Sequence, residues 1–198
     1  MYKRQDEAYS SLTVSVNGKT AYRLKNTRFY NVIANIYTLK NGQPFLYLYA
    51  PAENGDGPVC ALLKYTNGKF RKILDFTEIM AGYGDHRIGE VTNLNGNKIV
   101  ITESIVSYSL GINAINFTYE YVNGKFVPTS RYGSYKEIYS ADGSSRHFTV
   151  SSDLPAYTRP GATAVNTTLK TGSLTKIIKC ALINRKTVSY THLRAHET

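Results

Sequence analysis

Asn-Gly pairs divide the first part of this 198-residue chain at nearly regular intervals. Asn-Gly is the favoured sequence of a two-residue type I′ hairpin turn, because both central residues of that turn need a positive φ. The flanking segments, such as 31–39 and 44–50, are rich in β-branched and aromatic residues, which favours strands. We therefore predict five β-hairpins, with turns at Asn17-Gly18, Asn41-Gly42, Asn67-Gly68, Asn95-Gly96 and Asn123-Gly124.

The hairpins repeat in pairs that are joined by a longer loop. Asn41 and Asn95 are 54 positions apart, and KYTNGKFRKI matches EYVNGKFVPT around the second turn of each pair. Four-stranded antiparallel meanders with a period of roughly 40–50 residues are typical of β-propeller blades. We predict an all-β fold whose region 1–131 consists of partial β-propeller-like meander repeats: a half unit at 8–30 and units at 31–80 and 81–131. A single antiparallel sheet or a sandwich built from hairpins is the alternative.

The hairpin rhythm ends after residue 131. Segment 132–146 is rich in Ser, Gly and Tyr and is predicted to be a connector. Segment 147–187 contains LPAYTRPG and then TTLKTGSLTKIIKCAL, which resembles bacterial Src-homology-3-type (SH3-like) modules. In that family a Lys-x-Gly turn, matched here by Lys170-Thr171-Gly172, precedes a strand of alternating apolar residues. The resemblance implies a small β-barrel module, truncated because its final strands are missing.

The last eleven residues, 188–198, read VSYTHLRAHET and are similar at every position to a translated DNA-sequencing adapter. We therefore expect the natural chain to stop at or before Thr187, and the natural N terminus is left open. His192 and His196 have the i, i+4 spacing of zinc ligands. Because the adapter accounts for both histidines, we predict no metal site there.

The formal net charge of +10 favours anionic partners such as wall polymers, glycans, membrane surfaces or nucleic acid. The basic residues are scattered along the sequence, so an ordinary soluble basic surface is the alternative explanation. No nucleic-acid-binding module is recognisable, which disfavours nucleic acid. No apolar run approaches the roughly 20 residues of a membrane helix, so we predict no transmembrane segment, and no signal peptide is recognisable at the start. Cys60 and Cys180 lie in apolar strand-like runs and are predicted to be buried free thiols.

The candidate ligand-binding residues lie in two predicted loops and are Tyr83, Asp85, His86, Arg87 and Tyr108. Loops between propeller units gather at one mouth, where Asp85 could orient His86 and Arg87 could hold an anion. The two tyrosines could stack on sugar rings. No nucleophile or second carboxylate accompanies them, so no catalytic residue is predicted. The acidic loop 53–57 has too few oxygen ligands for a calcium site, and we predict no cofactor and no metal.

Turn-rich β repeats followed by an SH3-like module resemble secreted or wall-associated proteins of Gram-positive bacteria. The resemblance implies an extracellular or cell-envelope location and a non-enzymatic role in binding an anionic wall polymer or glycan. The alternative is an accessory region of a larger cell-wall hydrolase or peptidase whose catalytic domain lies outside this sequence. An intracellular scaffold is a third interpretation. The sequence indicates no oligomeric state.

Overall fold

The computed structural model describes residues 8–53, 57–79, 87–107, 111–138, 147–158, 162–181 and 191–195. In these ranges every sheet is antiparallel and the only helix has four residues, which confirms the all-β class. The elements are β1 (Tyr9–Val16), β2 (Lys19–Phe29), β3 (Ile33–Thr38), β4 (Pro44–Ala50), β5 (Val59–Thr66), β6 (Lys69–Asp75), α1 (Phe76–Ile79), β7 (Arg87–Asn95), β8 (Lys98–Ser107), β9 (Gly111–Val122), β10 (Lys125–Pro128), β11 (Tyr132–Ile138), β12 (Phe148–Thr149), β13 (Leu154–Ala156), β14 (Thr167–Leu169), β15 (Leu174–Ala181) and β16 (Thr191–Ala195).

Three of the predicted turns have the expected left-handed backbone at both central residues. The φ values are 50° and 74° at Asn17-Gly18, 52° and 77° at Asn67-Gly68, and 50° and 81° at Asn123-Gly124. Asn and Gly are the residues that adopt this conformation with the least strain, and the primed turn that results matches the right-handed twist of the strands. The β1–β2, β5–β6 and β9–β10 hairpins therefore close as predicted.

The other two turns differ from the predicted type I′ geometry. Among the Asn-Gly residues there, only Gly42 and Gly96 have a positive φ, of 79° and 64°. In the β3–β4 connection the amide of Gly42 donates to the carbonyl of Leu39 at 2.9 Å, so Lys40 and Asn41 are the central residues of the turn. In the second case β7 runs through Asn95, and the turn shifts by one residue. The hairpins still form because glycine supplies the one left-handed position that each turn needs.

The two full units predicted at 31–80 and 81–131 each contain a four-stranded meander, and the half unit at 8–30 contains the β1–β2 hairpin. Strands β3-β4-β5-β6 form one sheet, which we call the first sheet. Strands β7, β8, β9 and β10 pair in chain order within a larger sheet, which we call the second sheet. The second sheet has eight strands in the order β12-β15-β11-β9-β8-β7, with β10 beside β9 and β16 beside β15. Two two-stranded sheets, β1-β2 and β13-β14, complete the topology of the described residues.

The central strands of the first sheet, β4 and most of β5, are buried on both faces, because they lie between the β1–β2 hairpin and the second sheet. Successive residues of β4 alternate between two apolar clusters. The cluster toward the second sheet, the inter-sheet core, contains Phe45, Tyr47, Tyr49, Cys60, Leu62, Ile99, Ile101, Ile115, Phe117, Tyr119 and Phe126. The cluster toward the hairpin, the hairpin core, contains Phe29, Leu46, Leu48, Ala50, Val59, Ala61 and Leu63. Consecutive units therefore stack face to face.

The segment after residue 131 extends the second sheet. Strand β11 occupies the part of the chain that the sequence assigned to a connector, and it pairs with both β9 and β15. Strand β15 comes from the segment that resembles an SH3-like module. No sheet within the described ranges closes into a barrel. A strand that belongs to no closed barrel can satisfy its backbone hydrogen-bonding groups by pairing with a neighbouring edge strand.

Two further features of the described residues bear on the sequence predictions. Cys60 is a buried free cysteine, as predicted. The one helix, Phe76–Ile79, is far too short to cross a bilayer, and no candidate membrane-spanning helix occurs among the described residues.

Candidate functional site

All five Asn-Gly turns lie at the same end of the strands in the stacked sheets. The β3–β4 and β5–β6 turns share an end of the first sheet, because the β4–β5 connection lies at the other end. The amide of Lys40 donates to the carbonyl of Gly96 at 3.0 Å, which places the first turns of the two units side by side. The Lys69 ammonium donates to the carbonyl of Thr20 at 3.0 Å, which brings the β1–β2 turn to the same edge. We call this surface the turn edge.

Every turn carries an exposed lysine. The turn segments 17–19, 40–42, 67–69, 95–98 and 123–125 contain no Asp or Glu. Their lysines are all exposed and lie within two residues of an Asn-Gly pair, and they are Lys19, Lys40, Lys69, Lys98 and Lys125. Stacking the units therefore brings charges that are 21 to 106 positions apart in sequence onto one surface.

A cleft of about 550 Å³ opens in the turn edge between the two units. Lys40 and Lys98 contribute ammonium groups to it, and the asparagines of both turns contribute amides. The only carboxylate in the described lining is Glu120, which lies directly across from Lys98 in the β8–β9 register. Two ammonium groups and side-chain amides beside one carboxylate favour an anionic, hydrogen-bonding ligand.

An aromatic cluster fixes the spacing of the two sheets beneath this cleft. The rings of Phe45, Tyr121 and Phe126 lie 5.0–5.2 Å apart, centroid to centroid. Lys64 donates from its Nζ to the Tyr121 hydroxyl at 2.8 Å, which ties the first sheet to the second. Packed aromatic pairs of this kind contribute about 0.5–1.5 kcal/mol each beyond the area that they bury. The turn edge therefore lies above a well-packed aromatic cluster.

A second polar contact between the sheets lies deeper in the inter-sheet core. The Tyr47 hydroxyl donates to the carbonyl of Gly89 at 2.7 Å, and the Cys60 thiol donates to the same oxygen at 3.3 Å. Burial raises the pKa of the Cys60 thiol to about 12, and burial likewise raises the pKa of Tyr47. Cys60 is therefore a neutral thiol at physiological pH, which suits a structural role, since the thiolate is the nucleophilic form.

The structure does not test the predicted binding cluster. Tyr83, Asp85, His86 and Tyr108 lie outside the described residues. Only the backbone of Arg87 is described. Arg87 is the first residue of β7 and pairs with Ile105, at the end of the strand opposite the turn edge. These five residues stay a prediction.

The sequence did contain a signal for the turn edge. A lysine adjoins four of the Asn-Gly pairs directly and follows Asn95-Gly96 by one further residue. In the sequence these lysines look like scattered charges, because the stacking that brings them to one surface is not visible there. No protein-family model, no curated protein and no solved structure matches the chain.

Proposed function

We propose that this chain is a non-enzymatic binding region of a bacterial cell-surface or secreted protein, and that the turn edge binds a linear anionic wall polymer or glycan. The observation that carries the proposal is the group of exposed lysines on the turn edge, one at each of the five Asn-Gly turns. The net charge of +10 supports it. The location at the cell surface rests on the sequence resemblance.

The arrangement of the lysines favours a polymer over a small anion. An exposed ion pair contributes about 0–1 kcal/mol, so a single phosphate or carboxylate at one of these turns would bind weakly. A chain with repeated negative charges contacts several turns at once, and each contact after the first is made at a high effective concentration. The cleft between the units adds amide donors to its two lysines, Lys40 and Lys98.

The binding test uses purified poly(glycerol phosphate) as the anionic polymer and neutral dextran as the comparison. We expect the full chain to bind the anionic polymer with an affinity that falls steeply as NaCl rises, because salt screens exposed charges. Replacing both cleft lysines, Lys40→Gln with Lys98→Gln, removes two contacts of up to about 1 kcal/mol each. We expect the dissociation constant to rise by about 3- to 30-fold at low salt.

The matched control, Lys25→Gln with Lys176→Gln, removes the same number of charges. These lysines lie within β2 and β15, away from the turn edge. This pair should bind the polymer nearly as well as the unmodified chain. The proposal fails if binding does not weaken with salt, or if the control pair and the cleft pair lose affinity equally.

A further inference from the structure

A small recess lies on the face of the second sheet that points away from the inter-sheet core. Strands β10 and β11 run one after the other along the same edge of β9 and are separated by residues 129–131. Pro128 ends β10, and the Thr129 amide makes one more hydrogen bond to β9, to the Thr118 carbonyl at 2.9 Å. The gap forms a recess of about 170 Å³, whose polar lining includes Asn116, Thr118, Thr129, Ser130, Tyr132 and Ser134.

The contact of β11 with the inter-sheet core determines which of its side chains face the recess. A Cβ atom on Gly133 would lie 2.3 Å from the Cε1 atom of Phe117, so only glycine lets the strand lie directly against this ring. Side chains alternate between the two faces of a strand. Tyr132 and Ser134 therefore lie on the opposite face, next to Asn116, which pairs with Ser134 across the strands.

The hydrogen bonds within the protein leave donors available in the recess. Ser130 Oγ accepts from the Tyr132 amide at 3.0 Å, and the Tyr132 hydroxyl accepts from Arg131 Nη2 at 2.9 Å. A hydroxyl group that accepts in this way keeps its own O–H to donate. Asn116 Oδ1 accepts from Thr102 Oγ1 at 2.7 Å, so the NH2 group of this amide is also left to donate. Each of the three groups therefore makes one hydrogen bond within the protein and has a donor that this bond does not use.

We propose that this recess is a separate binding site for an uncharged, acceptor-rich sugar unit, such as an N-acetylated hexosamine within a glycan. Apart from the contact of Arg131 with the Tyr132 hydroxyl, its described lining has hydroxyl and amide groups and no ionised side chain, which distinguishes it from the lysine-rich turn edge. The hydroxyl and acetamido oxygens of such a sugar match the donors of Ser130, Tyr132 and Asn116. The volume is below the roughly 300–1,000 Å³ of drug-sized ligand pockets and suits one ring with its substituents.

The probe is chitotetraose, an uncharged oligomer of N-acetylglucosamine, titrated into the ¹⁵N-labelled full chain and followed by NMR. We expect chemical-shift changes centred on the amides of Ser130, Tyr132 and Ser134, with an affinity that does not change between low and high NaCl. Tyr132→Phe keeps the ring and removes one donor. It should weaken binding by about two- to tenfold, as expected for the loss of one neutral hydrogen bond.

The matched control is Tyr157→Phe, which removes the hydroxyl of an exposed tyrosine outside the recess and should leave the affinity unchanged. The cleft variant with Lys40→Gln and Lys98→Gln should also retain chitotetraose binding, even if binding of anionic polymer is lost. The inference is overturned if chitotetraose shifts no recess amide at millimolar concentration. It is equally overturned if Tyr132→Phe binds as tightly as the unmodified chain, or if binding follows the cleft lysines.

Discussion

Gly89 lies where the two sheets meet, and its lack of a side chain is a requirement of the packing. Its carbonyl accepts hydrogen bonds from Tyr47 and Cys60 of the first sheet. A Cβ atom at this position would lie 2.5 Å from the Cδ2 atom of Phe76 and 2.5 Å from Oε1 of Glu103. Real Cβ atoms do not approach other atoms so closely. A single methyl group here would therefore push β7 away from its neighbours.

We expect Gly89→Ala to lower the free energy of unfolding by about 1–3 kcal/mol, the usual cost of overpacking a core. Urea denaturation followed by circular dichroism measures the change. Glu90→Ala on the same strand is the control, because the Glu90 side chain is exposed and its loss should change stability by less than about 0.5 kcal/mol. Equal stability of the two variants would show that the sheets do not approach each other at Gly89 as described.

The conformations of individual turn residues were predictable from the sequence only in part. Asn17, Asn67 and Asn123 adopt the positive φ that Asn-Gly predicts, because turn geometry depends on only two residues. The turn after β7 shifts by one residue, although its sequence is also Asn-Gly. Pairing between β7 and β8, which includes a bulge between Val91 and Asn93, determines that register, and local propensity does not encode it.

Strand β4 shows how a stacked repeat differs from a sheet with one solvent-exposed face. Six consecutive residues of this strand, 45–50, are buried. Its sequence is apolar throughout, so it predicted a strand but not which side chain would enter which core. Packing against the neighbouring layers, which cover both faces of β4, determines which side chain enters which core.

We expect Leu48→Ala to lower the free energy of unfolding by about 2–5 kcal/mol, because Leu48 is 1% exposed in the hairpin core and truncation leaves a cavity. Thermal or urea denaturation provides the measurement. Ile36→Ala on β3 is the matched control, since that aliphatic side chain is 64% exposed and should be nearly neutral. A Leu48→Ala cost as small as that of Ile36→Ala would contradict the burial of β4 on both faces.

Stacking of consecutive units creates the features that individual hairpins lack. Residues 54 positions apart meet: the Tyr37 hydroxyl oxygen lies 3.5 Å from the carbonyl oxygen of Val91. The turn edge and its cleft exist only in this arrangement, since each hairpin alone carries a single turn lysine. The 54-residue spacing predicted the repeat, but the contacts between copies depend on packing between layers. The grouping of the lysines on one surface therefore could not be derived from charge composition.

The most direct measurement of this stacking is a set of long-range nuclear Overhauser contacts in the full chain. The stacked arrangement predicts cross-peaks between the Phe45 and Phe126 rings, whose centroids lie 5.2 Å apart, and between the Lys40 amide proton and the α-protons of Gly96. If the hairpins show their own cross-strand contacts while both sets of cross-peaks are absent, the units do not stack and the turn edge does not exist.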